Sequence, residues 1–180
     1  MNVWGLILKC AGWKFTITTP PRDKCVICVA PHTSNWDFIL GLCAYHSIGR
    51  KANFLMKEFW FFFPLGILLK RLGGIPVPKL KGGDLSNRLI SLFKEHKYVN
   101  LAVTPEGTRS RTEHWRRGFI FIAKGAEVPI QLGVIDFPNK HILITEEYWP
   151  TGDVEADMLA IKNFYKKYSN AGKYPDKFAV

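Results

Sequence analysis

CVICVAPHTSNWDFIL, residues 25–40, changes character in its middle. Cys25 to Ala30 is an unbroken apolar run, which predicts a buried strand, and Pro31 ends it because proline has no ladder donor. Ser34 to Ile48 then reads as a helix rich in apolar residues. His32 and Asp37 flank the junction. Ser34-Asn-Trp-Asp37 fits the capping box [ST]-x-x-[DE], in which Ser34 caps the helix and Asp37 reaches back to a backbone amide. On that reading Asp37 is structural and His32 merely ends a strand. A second reading places the imidazole within reach of the same carboxylate. A carboxylate on one ring nitrogen fixes the tautomer and stabilises the imidazolium, leaving the other nitrogen free as a base. A helix N-terminus disfavours the charged imidazole, which helps keep it neutral. The two readings are compatible, and this stretch alone does not choose between them.

Outward from it, strands alternate with helices. Asn53 to Met56 reads as a short strand, followed by the aromatic segment Phe59 to Leu69. Gly73-Gly74 breaks the pattern, and the prolines around Ile75-Pro76-Val77 suit an edge strand or a bend. Asp84 is placed to cap a helix whose Leu85, Leu89, Leu92, Phe93 and His96 share one face. Tyr98 to Val103 is a second buried strand, followed by a polar, basic loop from Thr104 to Arg117. Val128 to Ile135 and His141 to Trp149 are strand-like. A last helix has acids early (Asp153, Glu155, Asp157) and lysines late (Lys162, Lys166, Lys167), with Val154, Met158, Ile161, Tyr165 and Tyr168 on one stripe. The pattern predicts an α/β fold, a single domain over 1–180 with a mainly parallel, mixed sheet flanked by helices.

The 180 residues suffice to bury a core, and 47% apolar content excludes disorder. A balance of 25 basic against 15 acidic residues, +10, predicts an anionic partner: nucleic acid, a phosphorylated metabolite or an anionic membrane surface. No stretch approaches the roughly 18 apolar residues of a spanning helix. The N-terminus lacks the basic region and cleavage site of a signal peptide, so the expected setting is cytoplasmic. Cys10, Cys25, Cys28 and Cys43 do not form a disulfide framework. Cys25 and Cys28, three apart on a strand, face opposite sides and read as core residues.

A second constellation, Thr104-Pro-Glu-Gly-Thr-Arg-Ser-Arg111, directly follows a buried strand, where ligand-binding loops sit in open α/β sheets. Gly107 allows close backbone approach, and Arg109 can fork onto a phosphate. A lone tripeptide of this kind is more often a solvated turn. HTSNWD, however, resembles the H-x-x-x-x-D block of the glycerolipid acyltransferases, and TPEGTRS resembles their FPEGTRS block. Gly73-Gly-Ile-Pro-Val-Pro-Lys79 resembles the block between them, and Val128-Pro-Ile-Gln-Leu-Gly133 the later VPI-type block. Four blocks in family order identify the chain as similar to the lysophosphatidic acid acyltransferases from about residue 25 to 135.

The resemblance implies transfer of a fatty acyl group from a thioester, acyl-CoA or acyl-carrier protein, to a lysophospholipid hydroxyl, most simply that of 1-acyl-glycerol-3-phosphate. No cofactor is implied. His32 stands for the family's general base and Asp37 for its orienting carboxylate. Glu106, Gly107, Thr108 and Arg109 stand for the acceptor-binding block, with Arg109 toward the phosphate. Lys79 occupies a position where the family usually has arginine, and Thr104 one where phenylalanine is common. A lysine brings charge without the planar fork, which leaves room for another acceptor such as an acyl-amino-acid lipid.

Other classes fare worse. There is no G-x-S-x-G elbow for a serine hydrolase, and His46, His96, His114 and His141 lack metal-ligand spacing. Arg111, Arg116 and Arg117 interleave with Trp115 and Phe119 as in a nucleic-acid surface, but beside these blocks they suit headgroup contacts better, and nucleic acid is not the expected partner. A non-catalytic membrane-surface module is a further alternative, against which the intact His32 and Asp37 argue. Phe59 to Leu69 reads either as a buried helix or as an interfacial segment flanked by Lys57, Lys70 and Arg71. Trp4, Leu8, Trp13 and Phe15 make 1–24 a second candidate interfacial segment. Only about two dozen residues precede the first block, so no long N-terminal anchor is expected. The expected location is peripheral, on the cytoplasmic face of the cell membrane.

Overall fold

Lys24–Val29, the strand expected from the apolar run, lies mid-sheet, hydrogen-bonded on both sides. The computed structural model describes residues 2–78 and 82–180. In chain order the elements are α1 (Val3–Cys10), β1 (Lys14–Ile17), β2 (Lys24–Val29), α2 (Trp36–Ser47), β3 (Asn53–Lys57), α3 (Leu65–Arg71), β4 (Gly74–Val77), α4 (Gly82–Glu95), β5 (Val99–Val103), α5 (Gly118–Gly125), β6 (Ile130–Asp136), β7 (His141–Tyr148) and α6 (Val154–Lys166), with 3₁₀ turns at Glu58–Trp60 and Pro175–Lys177. The seven strands are ordered β1-β7-β6-β2-β5-β3-β4. Every pairing is parallel except β6 with β7, so the expected mixed, mainly parallel α/β sheet is what forms.

The run is unbroken because both faces of β2 are covered. Val26 and Cys28 join the core beneath α4, α5 and α6, with Leu101, Ile130, Leu89, Phe119 and Ile161. Cys25 and Ile27 face α2, against Leu42 and Tyr45. The two cysteines therefore occupy opposite faces, and burial pushes the Cys25 thiol up to about 12. Cys10 lies on α1 and is exposed. Tyr165 of α6 is fully buried, its hydroxyl donating to the Cys28 carbonyl oxygen at 2.6 Å, which ties that helix to β2.

This topology creates the crevice. β2 and β5 are neighbours, with Val26 opposite Leu101, yet β2 leads into α2 on one face and β5 leads toward α5 on the other. Connections that leave adjacent parallel strands toward opposite faces open a cleft at the strands' C-terminal ends. The loops beginning at Ala30 and Thr104 meet there.

Several local expectations change. Ser34 does not open the helix, which begins at Trp36. Asp84 lies in the first turn of α4 and not at its cap. β1 and α5 are additional elements: KFTI is a short sheet-edge strand, and the apolar GFIFIAKG gives no periodicity that separates helix from strand. Pro76 does sit on an edge strand, β4. The buried-helix reading of Phe59 to Leu69 is overturned, since Phe59 is 79% and Phe63 82% exposed, and Phe62, Ile67 and Leu68 are also exposed. The N-terminal interfacial reading fails for the residues named. Leu8 is buried, Trp13 and Phe15 pack against its cluster, and Trp4 stacks on His46 at 5.1 Å. The outward apolar residues of α1 are Val3, Leu6 and Ile7 instead. No helix among the described residues is long and apolar enough to cross a membrane.

Candidate active site

His32 lies between the end of β2 and the start of α2, half-buried, with its Nδ1 3.0 Å from Asp37 Oδ2. That one oxygen also accepts the backbone N–H groups of Thr33 and Ser34, each at 2.9 Å. Asp37 is only 3% exposed, and three donors converging on one oxygen fix its position. The reach of Asp37 back to a backbone amide and its orienting of His32 are thus realised by a single atom. The Ser34 hydroxyl departs from the capping-box pattern, accepting from Trp36 N at 3.2 Å and not from Asp37 N. With Nδ1–H donated to Asp37, the lone pair of Nε2 is available as a base.

The loop after β5 reaches this histidine through Glu106. Its Oε1 accepts the His32 backbone N–H at 2.8 Å, and the residue is 6% exposed. Burial holds its pKa above the ordinary carboxylate value, while the His32 amide bond works in the opposite direction. Glu106 therefore faces the histidine's main chain and does not project into the mouth. Gly107 has φ +61°, and the Arg116 side chain crosses so closely above it that a Cβ would fall 2.3 Å from Nε. The glycine makes room for that arginine as well as for the turn. Arg109 is exposed and donates to the Asn35 side-chain oxygen, which ties the second loop to the first.

Two cavities meet at His32. A polar cleft of about 390 Å³ is lined by His32, Thr104, Gly107, Thr108, Arg109 and Ser110. A larger, mostly apolar cavity of about 780 Å³ also includes His32, Asp37 and Thr104 and runs past Gly41, Leu42, Phe54 and Ile144. A base at the junction of a polar and an apolar compartment suits a reaction that joins a fatty chain to a polar acceptor. A family model described as Acyltransferase matches residues 14–135.

The chain belongs to the acyltransferase family. Its fold is similar to the crystal structure of the 1-acyl-sn-glycerophosphate (LPA) acyltransferase, PlsC, from Thermotoga maritima. The two share 19% sequence identity and a TM-score of 0.62, over 94% of this chain and 78% of that one. No curated protein sequence matches the chain.

In this acyltransferase the structure brings together His32, Asp37, Glu106, Gly107, Thr108 and Arg109 from two separated blocks. Lys79 lies outside the described residues. The basic loop is not a stacking surface. Trp115 and Phe119 are buried, Trp115 Nε1 donates to Ala179 O at 3.1 Å, and Arg117 pairs with Glu155. Arg116 and Asn35 are additions to the site. Arg116 was legible only as one more basic residue, and Asn35 only as a variable position inside a motif. Asn35 is placed by its contact with Arg109, 74 residues away in sequence, and Arg116 by the folding of its own loop back over Gly107.

Proposed function

We propose that this protein is an O-acyltransferase of phospholipid synthesis, moving a fatty acyl group from an acyl-CoA or acyl-carrier-protein thioester to the hydroxyl of a lysophospholipid. The acceptor that fits best is 1-acyl-glycerol-3-phosphate. The observation that carries this reading is the His32–Asp37 pair at 3.0 Å, standing where an apolar cavity meets a polar cleft containing Arg109. His32 Nε2 takes the acceptor hydroxyl proton as that oxygen attacks the thioester carbonyl. The tetrahedral intermediate collapses with loss of the thiolate, which takes the proton back from the imidazolium. Asp37 holds the ring and stabilises its charged form, so no acyl-enzyme is required.

Arg109 serves the acceptor phosphate, with Lys79 as the family-derived second cation. The apolar cavity takes the fatty chain. Peripheral attachment through the exposed Phe59–Phe63 segment and the +10 net charge brings the protein to the cytoplasmic face of an anionic membrane. The test is lipid mass spectrometry after incubating the purified protein with acyl thioester and a panel of lysolipids. New diacyl product from lysophosphatidic acid is expected. Product only from a phosphate-free lysolipid would move the acceptor to another class, and no product from any acceptor with either donor would overturn acyl transfer.

A further inference from the structure

The segment Ala171–Val180 lies beyond the stretch matched by the family model, yet it returns to the site. Phe137 N donates to Ala171 O at 2.8 Å, Tyr174 N donates to the Thr33 hydroxyl at 3.2 Å, and Arg111 Nη1 donates to the carbonyl oxygens of Asp176 and Phe178 at 3.3 and 3.4 Å. A Cβ on Gly172 would stand 3.0 Å from Thr33, tighter than an ordinary contact, so this segment lies directly against the residue that follows His32. Phe178 and Ala179 are buried beyond it. With both flanks fixed, the side chains between them are presented at a defined place.

Those side chains form one cationic and aromatic cluster. The Lys173 ammonium lies 5.8 Å from the Trp36 ring centre and 5.7 Å from that of Tyr174, and the Lys177 ammonium lies 4.5 Å from Tyr174. All four residues are exposed, as are Phe38 and Ile39 of the same helix as Trp36. Asp176 is the segment's one acid, also exposed, leaving the segment net positive. Exposed tryptophan and tyrosine interleaved with lysines and bordered by the exposed Ile39, one turn from Trp36, is the composition of a membrane–water boundary. Acidic protein surfaces would match the lysines but supply no apolar layer for Trp36 and Ile39. Topology agrees: Trp36 follows β2 and Phe59–Phe63 follows β3, so both patches lie at the sheet edge where His32 sits.

We propose that Trp36, Lys173, Tyr174 and Lys177 form an anionic-lipid contact that seats the mouth at His32 on the bilayer surface. The proposal rests on the peripheral-membrane reading above, and vesicle binding tests it without turnover. The 180-residue chain is titrated with phosphatidylcholine vesicles with and without phosphatidylglycerol. Lys173→Ala/Lys177→Ala is compared with Lys51→Ala/Lys97→Ala, whose exposed lysines precede β3 and β5 at the opposite sheet edge and change net charge equally. A lysine near an anionic surface contributes roughly five-fold in affinity, so the first double variant should bind the phosphatidylglycerol vesicles about 25-fold more weakly. The second should bind nearly as wild type, and Trp36→Ser should weaken binding to both vesicle types. Equal losses in the two double variants would reduce the effect to net charge and overturn the proposal. Unchanged vesicle binding, with KM raised only for an acyl-carrier-protein thioester, would overturn it in favour of a carrier-protein surface. Wild type that binds neither vesicle type would sink the membrane reading itself, whereas wild-type binding that Lys173→Ala/Lys177→Ala leaves intact sinks this contact alone.

Discussion

The Glu106 carboxylate accepts the main-chain N–H of His32 at 2.8 Å, joining the loop after one strand to the loop after its neighbour. Removing this acceptor leaves a partly buried donor unpaired, which costs about 1–3 kcal/mol, and frees the histidine's backbone. Glu106→Ala is therefore expected to lower both melting temperature and kcat, whereas Glu106→Gln keeps a carbonyl acceptor and should retain most of each. The pH response separates them further. Glu106 has a folded pKa raised by burial, so between its unfolded and folded values the native state binds more protons and stability falls as pH rises. Glu106→Gln has no such loss, and its denaturant-derived stability relative to wild type should improve through that window. A constant difference at all pH values would count against a buried, raised carboxyl.

The His32–Asp37 pair gives a direct test of chemistry. His32→Ala removes the base and is expected to reduce turnover roughly 10²–10⁴-fold while the protein remains folded. Asp37→Asn retains an oxygen for the amides of Thr33 and Ser34 but loses the negative charge that stabilises the imidazolium. It should lower kcat far more than it raises KM, measured by steady-state kinetics on lysophosphatidic acid. Near wild-type turnover in His32→Ala would remove the histidine from the mechanism.

The sheet was legible because its central strands are buried and carry apolar runs, unbroken in Cys25–Ala30 and interrupted in Val99–Val103 by the buried Asn100. β1 was not, since four residues on an edge strand bury too little to leave a pattern. In the site, the ordered blocks gave the residues, and Asp37's spacing from the loop gave its reach to His32. They could not give Glu106's direction. A carboxylate in a loop reads equally well as pointing toward a ligand, and it is the pairing of β2 with β5 that turns it toward a backbone amide. Likewise Phe59–Phe63 has the composition of a core helix, and only the fold leaves it exposed.

That exposure has a measurable consequence. Phe59 and Phe63 make little of the core, so Phe59→Ser/Phe63→Ser should change unfolding free energy by no more than about 0.5 kcal/mol per site. Vesicle binding should weaken clearly, because two large apolar side chains are lost from the interface. Thermal melts and vesicle flotation on the same preparation check both halves. A variant that melts much lower but floats like wild type would return these residues to a structural role.

Gly41 offers a test of the cavity. It lies in α2 and lines the apolar space, and a Cβ there would meet Ile135 at 3.8 Å, an ordinary contact. Gly41→Leu is thus sterically admissible at its first carbon, and replacing glycine inside a helix favours the helix by up to about 1 kcal/mol. The rest of the side chain would occupy space assigned to the fatty chain. The melting temperature should hold or rise while long-chain thioesters are turned over less well and short-chain ones are largely spared. Each methylene that no longer fits in an apolar pocket is worth about 1–3 kcal/mol, so the short-to-long ratio of kcat/KM should rise at least roughly ten-fold. An unchanged ratio, or equal loss at every chain length in a folded variant, would mean that the acyl chain lies elsewhere.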